Sequence, residues 1–152
     1  MIYISFPFDL FERLKRLEFY TLMLYLDLVH PQNMKKILII EDDLLISSLV
    51  QFRLKKDGYE TYLVCDGNEG IKAIDDLKLD LIITDVMMPF RSGIEIIHHA
   101  KQKQPDTPII VLSSLGEEEQ VVLEAFNLGV SDFIPKPFNP NELAIRVKRV
   151  LK

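Results

Sequence analysis

From Met34 to Lys152, short aliphatic runs alternate with longer segments whose apolar residues recur every three or four positions. The runs KKILII (35–40), YETYLV (59–64), LDLIITD (79–85), PIIVLSS (108–114) and SDFIP (131–135) are too short for helices and predict five strands. The intervening spacing predicts helices over 43–57, 68–77, 92–103 and 117–128, and a fifth opens at Asn139. Leu45, Ile46, Leu49, Val50, Phe52 and Leu54 form the apolar set of the first helix; Ile71, Ala73, Ile74 and Leu77 form that of the second. Gly58 and Gly129 stand where helices stop and Ser92 where one is capped; Pro140 takes a first helical position, where its missing N–H costs nothing. Continuous apolar strands joined by helices imply an α/β fold, a parallel sheet with helices on both faces and right-handed crossovers. In such folds ligands bind beyond the carboxyl ends of the strands, where strand order switches.

Residues 1–33 follow another rule. Leu10, Leu14, Leu17, Thr21, Leu24 and Leu28 are spaced 4-3-4-3-4, the seam of a short coiled coil, with Asp9 and Glu12 as its expected cap and His30-Pro31 as its end. No positive charge precedes the first apolar run, as a secretory signal requires. The apolar stretch FYTLMLYL, bounded by Glu18 and Asp27, is far short of the roughly 20 residues of a membrane span. The expected organisation is an N-terminal helical extension over 1–33 and one α/β domain over 34–152.

Composition narrows the function. Hydrophobic residues make up 48% of the 152, enough for a packed core, and the net charge of −5 argues against nucleic-acid binding through a general basic surface. The lone Cys65 cannot form an internal disulfide, which fits a reducing cytoplasm, and Cys65 with His30, His98 and His99 makes no Cys/His metal cluster.

The chemistry collects at strand ends. The first strand delivers Glu41 and Asp42, the third Asp85, the fourth Ser113 and the fifth Lys136. Gathered carboxylates repel, so a cation must offset them, and Mg²⁺ suits oxygen ligands in a half-hydrated site. A carboxylate, a metal, an ammonium and a hydroxyl around one centre suit phosphoryl transfer, with the carboxylate as nucleophile. Singly, each residue has a plainer reading: Asp42 and Asp43 as helix-start acids, Asp85 as a turn acid, Lys136 and Ser113 as surface residues.

ILIIEDD, LIITDVMMPFRSG, PIIVLSS and DFIPKPFNPNEL together resemble the receiver domain of two-component response regulators, over 34–152. The resemblance implies a flavodoxin-like (CheY-like) five-stranded sheet in order 2-1-3-4-5. It implies Asp85 as phosphoacceptor, Asp42, Asp85 and the Met87 backbone carbonyl as direct Mg²⁺ ligands, and Glu41 as a ligand through water. Ser113 takes the switch hydroxyl position, Phe133 the switch aromatic and Lys136 the site lysine, with a cis Lys136–Pro137 bond. The implied partners are a sensor histidine kinase or histidine phosphotransferase and a downstream effector protein, in the cytoplasm, with no direct nucleic-acid or membrane contact. Such a chain is not an enzyme acting on other substrates; it catalyses only its own phosphorylation and dephosphorylation.

Some positions depart from the family pattern. Phe90 stands where a small or polar residue is usual, Ser114 where Ala or Gly is common, and Pro135 lies inside the fifth strand, which an edge position tolerates. A phosphatase of the haloacid dehalogenase type is the rival enzyme reading, but its second acid, two residues after the nucleophile, is here Met87. MKKILIIEDD reads like a natural start for the family, which would make 1–33 an upstream artefact of gene annotation. If Lys152 is the natural end, the chain is a stand-alone receiver; the alternative is the receiver portion of a longer DNA-binding regulator. Such regulators dimerise through the fourth helix, fifth strand and fifth helix by charged pairs; Asp132, Arg146 and Glu142 fit that pattern, while Val122 and Ser131 do not. The expected self-association is a weak dimer through that face or through the N-terminal helix.

Overall fold

The computed structural model describes residues 8–29, 34–88, 90–114 and 119–152. The chain divides into two compact units, Met1–Met34 and Lys35–Lys152. Among its described residues the first contains one helix, α1 (Phe8–Val29). It begins one residue before Asp9, so Asp9 lies in the first turn and not at the cap; His30 and Pro31 fall outside the described residues. No helix among the described residues is long and apolar enough to cross a membrane.

The second unit runs β1 (Lys36–Ile40), α2 (Leu44–Lys56), β2 (Glu60–Val64), α3 (Gly67–Asp76), β3 (Leu81–Asp85), α4 (Gly93–Lys103), β4 (Ile109–Ser114), α5 (Glu119–Asn127), β5 (Asp132–Lys136) and α6 (Pro140–Val150). All strand pairs are parallel and the order is β2-β1-β3-β4-β5, as expected. Successive strand residues point to opposite faces. Leu38, Ile40, Ile82 and Val111 therefore pack with Ile74 of α3, Ile96, Ile97 and Ala100 of α4, and Ala125 of α5. Ile37, Ile39, Ile83, Ile110 and Leu112 pack with Val50 and Leu54 of α2 and Leu143 and Val147 of α6. Both faces are covered, which is why β1, β3 and β4 read as unbroken apolar runs.

The helix starts follow capping chemistry. Asp43 accepts from the Leu45 and Ile46 N–H groups and caps α2, and Asp66 does the same for α3 through Asn68 and Glu69. The spacing predicts that second helix from Asn68 and the structure starts it at Gly67, because its apolar periodicity begins later than its cap. Ser92 caps α4 through the Glu95 N–H, and Asn139 caps α6 ahead of Pro140. The apolar set of α2 splits in a way periodicity does not show. Val50 and Leu54 are buried with Ser47, while Leu45, Leu49 and Phe52 are exposed. Positions 46, 50 and 54 form one stripe; 45 and 49 lie about 100° around the helix from it, and 52 about 160°. A helix laid on one sheet face buries only the first stripe.

Candidate functional site

The carboxyl ends of β1, β3 and β5 converge because the order 2-1-3-4-5 puts β1 beside β3 and returns β5 past β4. Glu41 follows β1 and is fully buried. Its Oε1 accepts the Asp43 N–H at 3.1 Å, and its Oε2 pairs with the Lys136 ammonium at 2.7 Å. Lys136 also hydrogen-bonds Asp85 Oδ2, so one ammonium bridges two buried carboxylates. Asp85 Oδ1 accepts the Met87 N–H at 2.9 Å. Asp42 is exposed, and one carboxylate oxygen each from Glu41, Asp42 and Asp85 lies within 4.8 Å of the others.

The electrostatics follow from burial. Loss of water raises the Glu41 pKa above its ordinary value, against the opposing pull of Lys136 and the Asp43 N–H. Burial works most strongly against the Lys136 charge too, yet its bonds to Asp85 and Glu41 overcome this and raise its pKa. With three carboxylates ionised and one ammonium, the site carries a formal −3 + 1 = −2. A divalent ion neutralises that charge. The donors are all oxygen, two buried and one open to water, which fits a hard, partly hydrated cation such as Mg²⁺.

Asp42 and Asp43, adjacent in sequence, have separate places: Asp43 caps a helix, and Asp42 joins the acid cluster. Ser113, half-buried, lies at the end of β4, one residue past Leu112, the partner of Asp85 in the register. Ser114 follows it and is exposed. Phe133 lies elsewhere, paired with Val111 inside β5 and packed half-buried against the core face that holds Ala125. The Lys136–Pro137 bond is cis, and Pro135 sits on an edge strand, both in line with expectation. Asp132 and Arg146 pair within the same chain at 3.1 Å, with Arg149 on the same carboxylate and Glu142 on the same guanidinium.

Phe90 and Gly93 flank the turn that follows β3. Phe90 is 83% exposed with a φ of 68°, a left-handed conformation that costs a bulky residue about 1–3 kcal/mol. Gly93, at the first position of α4, donates to the Val86 carbonyl at 2.8 Å. A Cβ there would lie 2.3 Å from the Asp85 carbonyl oxygen and 2.6 Å from Val86 Cα. The helix start therefore rests directly on the backbone that carries Asp85. The only signal in the sequence was a glycine just after a capping serine, where helix propensity disfavours it. Arg91 ties the same loop to α3 by donating to Asn68 at 2.8 Å, and to α4 by donating to Glu95 at 3.1 Å.

A family model described as the response regulator receiver domain matches residues 37–148. The chain is 39% identical over 118 residues to the alkaline phosphatase synthesis transcriptional regulatory protein PhoP of Bacillus subtilis. That match covers 78% of this chain and 49% of the relative, so the chain spans about half the length of this relative. Among solved structures, a CheY-like response regulator receiver domain protein from Methanospirillum hungatei superposes with a TM-score of 0.75 at 27% identity, covering 78% of this chain and 94% of that one. A chemotaxis response regulator of Vibrio cholerae gives 0.72 at 30% identity, covering 78% of this chain and all of that one.

Proposed function

The chain belongs to the response regulator receiver family, and from that premise we propose that it takes a phosphoryl group from a histidine kinase or histidine phosphotransferase onto Asp85 and signals by contact with another protein. The observation that carries this reading is the Lys136 ammonium bridging Asp85 and Glu41 beside Asp42. An Asp85 carboxylate oxygen attacks phosphorus on a phosphohistidine. The new O–P bond forms as the P–N bond breaks, and the leaving imidazole nitrogen keeps the electron pair and takes up a proton. Lys136 already donates to Asp85 and stabilises charge on the transferring oxygens. The Met87 N–H, held on the other Asp85 oxygen, orients the nucleophile. Asp42, Asp85 and the Met87 carbonyl, with Glu41 through water, would hold a Mg²⁺ ion, which would supply further charge neutralisation. Phosphoryl chemistry on other substrates is not part of this role, since Met87 gives no acid two residues beyond Asp85. Acetyl phosphate with Mg²⁺ is expected to add one phosphoryl group, read by intact mass and removed by alkali. A label that survives alkali would point to an ester and refute an acyl phosphate.

Mg²⁺ at this site would also change the stability of the fold. Binding to the folded state stabilises it by mass action, so a hundredfold excess of Mg²⁺ over Kd should raise Tm by about 5–10 °C. Asp42→Ala should remove most of that rise in a thermal melt. An undiminished rise would exclude Asp42 from the ligand set.

The readout is proposed to run from Ser113 to the surface of α5, β5 and α6. The phosphoryl oxygens accept a hydrogen bond from the Ser113 hydroxyl, and Phe133 turns into the space vacated beneath β4, biasing a two-state equilibrium. Leu123, Phe126 and Ile145 are exposed on that surface. Beryllofluoride with Mg²⁺ is expected to move backbone NMR signals of α5, β5 and α6. Shifts confined to the residues around 41–43, 85–93, 113 and 136 would contradict this route.

A second reading rests on the relative in Bacillus subtilis, whose name marks it a transcriptional regulator. In it, this receiver forms the input part of a longer DNA-binding protein. Both readings set the chain in the cytoplasm beside its kinase.

A further inference from the structure

We propose that α1 pairs with α1 of a second copy of this chain as a parallel two-stranded coiled coil. The helix holds its seam open: Leu14, Leu17 and Leu24 are 52%, 61% and 63% exposed. In a heptad frame Leu10, Leu17 and Leu24 occupy the d positions, and Leu14, Thr21 and Leu28 the a positions. Leucine fills every d and the outer a positions, and the one polar a residue, Thr21, sets the register of the pairing. Thr21 can sit there without an orphaned hydroxyl, because its Oγ1 donates to the Leu17 carbonyl of its own helix at 2.7 Å.

Flanking charge selects the partner and its direction. Arg13 takes a g position and Glu18 the following e position. In a parallel pair g of one helix meets the next e of the other, so two Arg13–Glu18 contacts form between the copies and no like charges meet. In the antiparallel pair with the same layers aligned, the g positions Arg13 and Asp27 meet, but Glu18 faces Glu18 at the centre, and Thr21 is set against Leu17 in place of Thr21. The parallel arrangement avoids both. None of the seam residues belongs to the acid cluster, so this association does not depend on phosphorylation.

The test uses the full chain. Sedimentation at micromolar concentration is expected to give twice the 17.6 kDa chain mass, with and without beryllofluoride. Leu17→Glu should return the monomer mass. Glu18→Arg should weaken the dimer at least tenfold, and Arg13→Glu added to it should restore affinity, a rescue that loss of helix structure would not give. In a Cys65→Ser background, Thr21→Cys should cross-link readily, since both copies place position 21 in one layer. A wild-type monomer, a dimer indifferent to Leu17→Glu, a charge swap without rescue, or a dimer that appears only with beryllofluoride would overturn the proposal. So would a monomer that instead sediments with anionic lipid vesicles.

Discussion

Replacing Lys136 with Met is expected to destabilise the metal-free protein by about 3 kcal/mol, read by urea unfolding with EDTA present. The side chains of Glu41 and Asp85 are 1% and 5% exposed, and Lys136 is the cation that bonds to both. Removing one partner of a buried ionic group leaves uncompensated charge, which costs about 3–5 kcal/mol. Methionine keeps most of the volume, so the loss reports charge and not a cavity. Adding Glu41→Gln to Lys136→Met should recover part of the loss, because the charges are coupled and their effects do not add. Mg²⁺ should stabilise Lys136→Met more than wild type, since the ion then offsets charge that nothing else does. A loss under about 0.5 kcal/mol, the scale of an ordinary surface change, would mean that the ammonium does not neutralise the pair.

The second large effect is expected at a residue with no side chain. Gly93→Ala should cost about 3 kcal/mol and displace Asp85, because its Cβ would overlap the Asp85 carbonyl oxygen and Val86 Cα, which are backbone atoms at the strand end. Gly70→Ala is the control. Its Cβ would meet Ile40 Cδ1 at 2.8 Å and Cγ2 at 3.2 Å, side-chain atoms and not backbone. Both variants add one methyl group near the N-terminal end of a helix. The expected order in chemical denaturation is Gly93→Ala far below Gly70→Ala, with acetyl phosphate labelling impaired only in the former. Equal losses would show that the close approach at Asp85 is no special constraint.

Much of the site was legible because its signals are local. A parallel strand is apolar along its length, so an acid at its end, as in ILIIEDD and LIITD, marks both where the strand stops and where the chemistry begins. Three strand ends in chain order carried the cluster of Glu41, Asp42, Asp85 and Lys136, which the fold then brings together. What the sequence hid depends on how surfaces meet. Leu45, Leu49 and Phe52 have the same spacing as the buried stripe of α2 and differ only in facing away from the sheet. The role of Gly93 is invisible until α4 is set against β3. Asp132 and Arg146, two charges with the spacing of an interface pair, bond within one chain; Glu142 is the local i,i+4 partner of Arg146 within α6, and the added partner Arg149 comes only from the packing of α6 beside β5.

The central claim is that Asp85 accepts the phosphoryl group. The most direct measurement treats wild type and Asp85→Asn with acetyl phosphate and Mg²⁺, follows intact mass, and maps the labelled peptide after trapping the acyl phosphate with borohydride. The wild type should gain one alkali-labile group on the peptide holding residues 81–88, and Asp85→Asn should gain none. Equal labelling of Asp85→Asn, or trapping at Asp42 or Glu41 in the wild type, would contradict it.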